Sequence, residues 1–116
     1  MKVTIVLDGG LKSCCSSYPP DYVRGIVAAW LKDTGEVEVI DRQQGNWSPD
    51  ALASVAEKYF GDRIYPLVYC GDILVTIGSL PDADTLVAMA TNPADFGVTE
   101  GEIREAAKKY GKDWRH

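Results

Sequence analysis

Histidine, cysteine, cationic charge and long apolar runs are all scarce in this sequence, and each scarcity removes a class of function. The single histidine is His116, the last residue, so a Cys–His nucleophilic couple and a tetrahedral zinc site both lose support. The 3 cysteines, Cys14, Cys15 and Cys70, are an odd number that does not read as a disulfide framework. No apolar run approaches the roughly 18 to 20 residues that span a bilayer; the longest, GIVAAWL, lies inside an amphipathic pattern. The 12 Lys and Arg residues are scattered and outnumbered by 17 Asp and Glu residues, for a net charge of −5. That balance repels phosphate backbones and anionic lipid, so neither nucleic acid nor a membrane is expected as a partner. GLKS at residues 11–13 and the preceding glycine lacks the GxxxxGK[ST] spacing of a phosphate loop.

What is present suits one small globular domain. The chain of 116 residues, 46% of them apolar, can bury one core and is too short for two ordinary ones. It opens on KVTIVL without a basic and apolar leader, from which we expect an intracellular, cytoplasmic protein. KVTIVL is a β-branched, nearly continuous apolar run, the pattern of a central strand covered on both faces. Val23, Ile26, Val27, Trp30 and Leu31 follow at helical spacing, with Pro20 as the start signal and Gly35 near the stop, which places Trp30 in the core. EVEVI alternates like a half-buried or edge strand, and DRQQGNW, with Trp47 at its end, reads as a loop. Ser48, Pro49 and Asp50 predict the cap and first turn of a second helix, stopped by Gly61. IYPLVYC and ILVTI, separated by Gly71 and Asp72, predict an antiparallel hairpin. A third helix is expected over about 82–91. Thr99 and Glu102 form a capping box, with Val98 and Ile103 as its hydrophobic staple, for a last helix whose stripe is Ile103, Ala106, Ala107 and Tyr110 and whose stop is Gly111. No internal repeat or low-complexity segment is evident. The predicted architecture is α/β: a mixed four-stranded sheet with helices on both faces, core 2–91, plus one extra C-terminal helix within an extension over 98–111.

The order β-α-β-α-β-β-α, the cysteine-bearing loop LKSCCSSYPPDY ahead of the first helix, and Tyr65-Pro66 at the start of the third strand together resemble the thioredoxin-like superfamily over roughly residues 2–90. GDILVTIGSLPDADTL resembles the hairpin, Gly78 and final helix of that fold. The resemblance implies that Pro66 is cis and faces the cysteine loop; an aromatic residue before proline favours that isomer, and a proline inside a ladder would otherwise cost a hydrogen bond. Where the family's reductases carry CxxC, this chain has Cys14, Cys15, Ser16 and Ser17, with serine at the resolving position. That departure points away from an intramolecular dithiol cycle and toward monothiol chemistry at Cys14. The CCS run is also similar to the loop of the arsenical-resistance repressor and arsenite chaperone family, in which a vicinal pair and a third cysteine bind As(III); no third cysteine follows here. Cys70 lies beyond Pro66 by about 13 Å of strand, at about 3.3 Å per residue, and is expected to be an inert core or edge thiol. The family's ferredoxins need four cysteines for their cluster.

The candidate site is therefore Cys14 and Cys15, as catalytic thiols or as ligands of a soft metal or metalloid ion, with Lys12 placed to favour a thiolate. Lys12, Ser17, Tyr65 and Pro66 are the candidate partner groove. Asp8 reads first as part of an Asp-Gly-Gly turn and second as a proton acceptor. Arg63 reads first as a solvated arginine and second as a partner for an anion such as glutathione. Trp47 and Trp114 are either exposed or part of a partner surface. No cofactor is required, and a soft metal or metalloid ion is an optional ligand. The expected partner is a thiol-containing protein or a small thiol, with the chain a monomer or a homodimer. If the protein is an enzyme, it is a monothiol thiol-disulfide oxidoreductase. The competing expectation is a non-catalytic thioredoxin-like binding module in which the cysteines are incidental.

Overall fold

A computed structural model describes residues 2–12, 17–32, 34–43, 45, 47–78 and 80–108, with the backbone alone at Lys12 and Asp62. Strand β1 (Lys2–Leu7) leads through a turn at residues 8–10 into a two-residue pair, β2 (Leu11–Lys12) and β3 (Ser17–Tyr18). Helix α1 (Pro20–Leu31), strand β4 (Glu36–Asp41) and helix α2 (Ala51–Phe60) follow, then a 3-10 turn (Gly61–Ile64). Strands β5 (Leu67–Cys70) and β6 (Ile73–Ile77), helix α3 (Ala83–Thr91), a second 3-10 turn (Pro93–Asp95) and helix α4 (Glu100–Ala106) complete the described chain.

The main sheet has 4 strands in the order β4-β1-β5-β6. β1 and β4 run parallel, as a helical crossover between them requires, while β5 is antiparallel to β1 and β6 to β5. The central place of β1 explains its composition. Val3, Ile5 and Leu7 pack with Val23, Val27 and Leu31 of α1 and Leu86 and Met89 of α3. Val6, on the opposite parity, joins Ala53 and Ala56 of α2, Ile64 and Ile103 of α4. Each such aliphatic side chain, once fully buried, contributes about 1.5–3 kcal/mol, so a strand buried on both faces ties the two helical layers to one sheet.

Local chemistry accounts for most boundaries. The hairpin turns at Gly71, at φ 62°, with Cys70 opposite Ile73; glycine at the first central position is what such a two-residue turn demands. The register between β5 and β6 shifts between Val68 and Tyr69, a bulge that lets Leu74 and Ile77 both reach the α2/α4 side. Thr99 caps α4 by accepting from Glu102 N–H at 3.2 Å, and Val98 packs in the same cluster as Ile103. Pro66 sits just ahead of β5, so its missing N–H removes no ladder bond.

Four expectations shift. The cap of α2 is Asp50 and not Ser48, because the Asp50 carboxylate takes the Ala53 N–H at 2.8 Å. Likewise Asp82 caps α3 by accepting from Thr85 N–H, so that helix starts at Ala83. α1 stops at Leu31, where Lys32 turns left-handed at φ 49°, ahead of Gly35. Trp30 is only partly buried, at the flank of the α1/α3 cluster. Tyr110, Gly111 and Trp114 lie outside the described residues.

Cys70 pairs with Val3 at the end of the sheet remote from Leu7 and is 1% exposed. Burial pushes its thiol up from the ordinary range. A raised folded-state value means that the contribution to stability is fully present below the unfolded value of about 8.5 and is lost as pH rises through the folded value. We expect iodoacetamide to label Cys70 only after denaturation, and the thermal midpoint to fall above about pH 8.5 less steeply in Cys70→Ala. Native-state labelling of Cys70 at the rate of a free thiol would contradict this placement.

Candidate functional site

The site is built where β1 ends. Leu7 is the register partner of Asp41 at the end of β4, and Pro66 immediately precedes Leu67, which pairs with Val6. Three segments thus meet at one end of the sheet: the Asp8-Gly9-Gly10 turn, the end of β4, and Tyr65-Pro66. The Tyr65–Pro66 peptide bond is cis, the isomer expected above.

Asp41 is buried, at 5% exposure. Its carboxylate accepts from the N–H of Gly9 at 3.0 Å, of Gly10 at 2.6 Å and of Gln43 at 3.0 Å. Gly9 and Gly10 have φ of 73° and 84°, so their successive N–H groups converge in an anion nest that the carboxylate fills. A side chain at Gly10 is also excluded by space, since a Cβ there would lie 2.6 Å from the Tyr18 carbonyl oxygen. Asp8 Oδ1 accepts from Gln43 Nε2 at 2.9 Å, which closes the turn; the turn reading of Asp8 holds.

From this turn the chain enters the β2–β3 ribbon, where Leu11 pairs with Tyr18 and Lys12 with Ser17. Residues 13–16, including Cys14 and Cys15, join the two strands of the ribbon and lie outside the described residues, as does the Lys12 side chain. Ser17 is exposed. Helix α1 begins only at Pro20 with Pro19 as its cap, beyond the ribbon, so the cysteines do not sit in its first turn.

The second wall is Tyr65. Its hydroxyl accepts from Arg42 Nη1 at 3.1 Å and donates to Glu57 Oε2 at 3.4 Å, while Arg42 and Glu57 stand 3.6 Å apart. The Arg42 guanidinium carbon lies 5.1 Å from the Tyr65 ring centre, within cation–π range. Trp47 meets the same ring edge-on, with centroids 6.1 Å apart at 79°, so the loop tryptophan has a partly buried structural role. Burial pushes the Tyr65 phenol up, the Arg42 charge opposes that, and Glu57 adds to it. The guanidinium of Arg42 is held above its ordinary value chiefly by Tyr65, then by Asp8 and Glu57.

Beside the ribbon, a cavity of about 250 Å³ is lined by Leu11, Tyr18, Tyr22, Ile26, Trp30 and Leu80. Tyr18 and Tyr22 stack with ring centres 5.2 Å apart, and Tyr22 is 52% exposed. Arg63 lies elsewhere, on a cavity of about 470 Å³ with Phe60, Ile77 and Ile103.

Sequence reading placed Tyr65 and Pro66 here and missed Asp41, Arg42 and Glu57. One signal for Asp41 was available: it shares the period-two parity of Val37 and Val39, which face the core. Among the described residues no cluster of three or more His, Cys, Asp or Glu side chains could hold a metal ion, and no helix is long and apolar enough to cross a membrane. No protein family, curated protein or solved structure matches the chain.

Replacing Asp41 by Asn removes the charge from three hydrogen bonds. We expect Asp41→Asn to cost about 1.5–3 kcal/mol and Gly10→Ala about 1–3 kcal/mol, each measured by denaturant unfolding. A change below about 0.5 kcal/mol in both would show that the turn is not held as described.

Proposed function

We propose that this protein is a small thioredoxin-like thiol protein that works through Cys14, assisted by Cys15, on a thiol-containing protein or a small thiol. The observation that carries the reading is the placement of Tyr65-Pro66, just ahead of β5, beside the end of β1, the strand from which the cysteine-bearing segment departs. The strand order β4-β1-β5-β6, with a parallel first pair and an antiparallel second half, supports it.

In this reading the Cys14 thiolate attacks one sulfur of a disulfide on the partner. A new S–S bond joins Cys14 to that sulfur, and the other sulfur leaves as a thiolate that takes a proton from water. Ser17 stands at the resolving position, so an external thiol completes the cycle: its thiolate attacks the mixed disulfide, Cys14 leaves as the thiolate, and the incoming thiol keeps the new disulfide. The two thiols together would also chelate a soft cation, releasing their protons as they bind.

A second reading, a binding module with incidental cysteines, draws support from the late start of α1 at Pro20, which leaves Cys14 and Cys15 outside the helical first turn where a thiol pKa is lowered. The exposed Tyr22, stacked on the partly buried Tyr18 of the ribbon, would then be the contact surface.

The deciding measurement is incubation of the full chain with oxidised glutathione, followed by mass spectrometry, alongside alkylation of Cys14 and Cys15 against pH with and without As(III) or Cu(I). We expect a mixed disulfide at Cys14 that is lost in Cys14→Ser and retained in Cys15→Ser. Single turnover in an insulin reduction assay should become multiple turnover in Ser17→Cys, which supplies a resolving thiol. Ordinary thiol titration near 8.5, with no mixed disulfide and no protection by either ion, would leave the binding-module reading in its place.

A further inference from the structure

We propose that the consecutive residues Asp41 and Arg42 are positioning residues that clamp the two walls of the site at a fixed separation, an inference that rests on the thiol-exchange reading above. Asp41 holds the root of the cysteine ribbon through Gly9 and Gly10 N–H. Arg42 holds Tyr65, the residue before Pro66, through its hydroxyl and ring face. The backbone between these two grips is itself pinned to the central strand, because Arg42 N–H donates to the Leu7 carbonyl at 2.9 Å.

The two side chains reach different walls from adjacent positions, Asp41 ending β4 and Arg42 being the first residue beyond it. Glu57 at the far side gives the Arg42–Tyr65 contact a third member: it accepts from the Tyr65 hydroxyl and pairs with the guanidinium. A planar, multiply bonding guanidinium restricts the tyrosine in a way that an ammonium at the same place does not. Thiol–disulfide exchange needs the attacking sulfur in line with the bond it breaks, so the reaction depends on how the partner lies along the Tyr65-Pro66 wall relative to the ribbon. A small alkylating agent has no such requirement. The clamp therefore separates two kinds of reactivity at the same sulfur.

The test compares the full chain with Arg42→Ala, Arg42→Lys, Tyr65→Phe and the Arg42→Ala/Tyr65→Phe pair. Rates toward oxidised glutathione and toward iodoacetamide are followed over about pH 5–9 for each, together with amide hydrogen exchange at Gly9 and Gly10. We expect Arg42→Ala to slow the disulfide reaction about tenfold or more while the iodoacetamide rate and its pH profile stay within about twofold. Tyr65→Phe should have a similar effect that does not add to that of Arg42→Ala, and Arg42→Lys should recover part of the rate. Gly10 exchange in Arg42→Ala should speed up about tenfold, because the end of β4 is loosened. Parallel loss with both reagents, unchanged disulfide rates, or additive effects would overturn the clamp. If the unaltered chain does not react with the disulfide, the thiol-exchange reading fails, and the clamp is then decided by Gly10 exchange alone, faster exchange supporting it and unchanged exchange overturning it. Arg42→Lys and Tyr65→Phe keep the comparison available should Arg42→Ala not fold.

Discussion

The Asp41 carboxylate is the contact on which the organisation of the candidate site depends. Burying a carboxylate costs several kcal/mol unless its oxygens are satisfied, and here backbone N–H groups from Gly9, Gly10 and Gln43 supply that satisfaction. The dependence runs both ways. The N–H groups of the two glycines, both at positive φ, converge on the carboxylate, and the charge at their focus keeps the turn in place. Remove the charge and the turn loses what gathers it; add a side chain at Gly10 and the ribbon cannot approach, since the Tyr18 carbonyl already occupies the space.

This polar anchor stands at the edge of an apolar body that constrains it from behind. β1 carries Val3, Ile5, Val6 and Leu7 almost fully out of solvent, so its register against β4 and β5 is fixed: a slip by one residue would turn the wrong side chains toward each helical layer. Because Leu7 is tied to Asp41 by that register and Val6 to Leu67, the core determines which residues meet at the sheet's end. The same register carries Cys70 to Val3 at the other end, where burial suppresses thiolate formation. Cys70 is thus held in a dry core at the end of the sheet remote from Asp41.

Much of this architecture is legible in the sequence because its determinants are local. Period-two and helical spacing locate the elements, Gly71 marks the hairpin, and Thr99 with Glu102 marks the start of α4. The misplaced cap of α2 has a local cause too: Ser48 and Asp50 are both good cap residues, and only the Ala53 N–H shows which is used. The site is less legible because its bonds are long-range. Asp41 reaches residues 31 and 32 positions away, and Arg42 reaches one 23 positions away. No spacing rule predicts such pairs. Asp41 does break the apolar parity of its strand, and a charge on a core parity at a strand end implies a concentrated set of donors. That inference names the need for partners without naming which residues meet it. The pairing of Lys12 with Ser17 was hidden for a different reason, since two-residue strands carry no periodicity to read.

The late start of α1 bears on which kind of thiol chemistry this frame suits. A cysteine in a helix's first turn gains thiolate character from the helix end, but here Pro19 caps the helix and the ribbon intervenes. Low pKa is not the only route to exchange: nucleophilicity falls as pKa falls, and the best attacking thiol has a pKa near the ambient pH. A thiol without helix-end assistance keeps its intrinsic nucleophilicity and becomes correspondingly more dependent on alignment with the bond it attacks. Alignment is a property of walls, and the walls are where this chain concentrates its polar contacts: Asp41 on the turn, Arg42 and Glu57 on Tyr65, Trp47 against the ring. In the thiol-exchange reading, specificity for a partner would then come from the groove's shape more than from an activated sulfur.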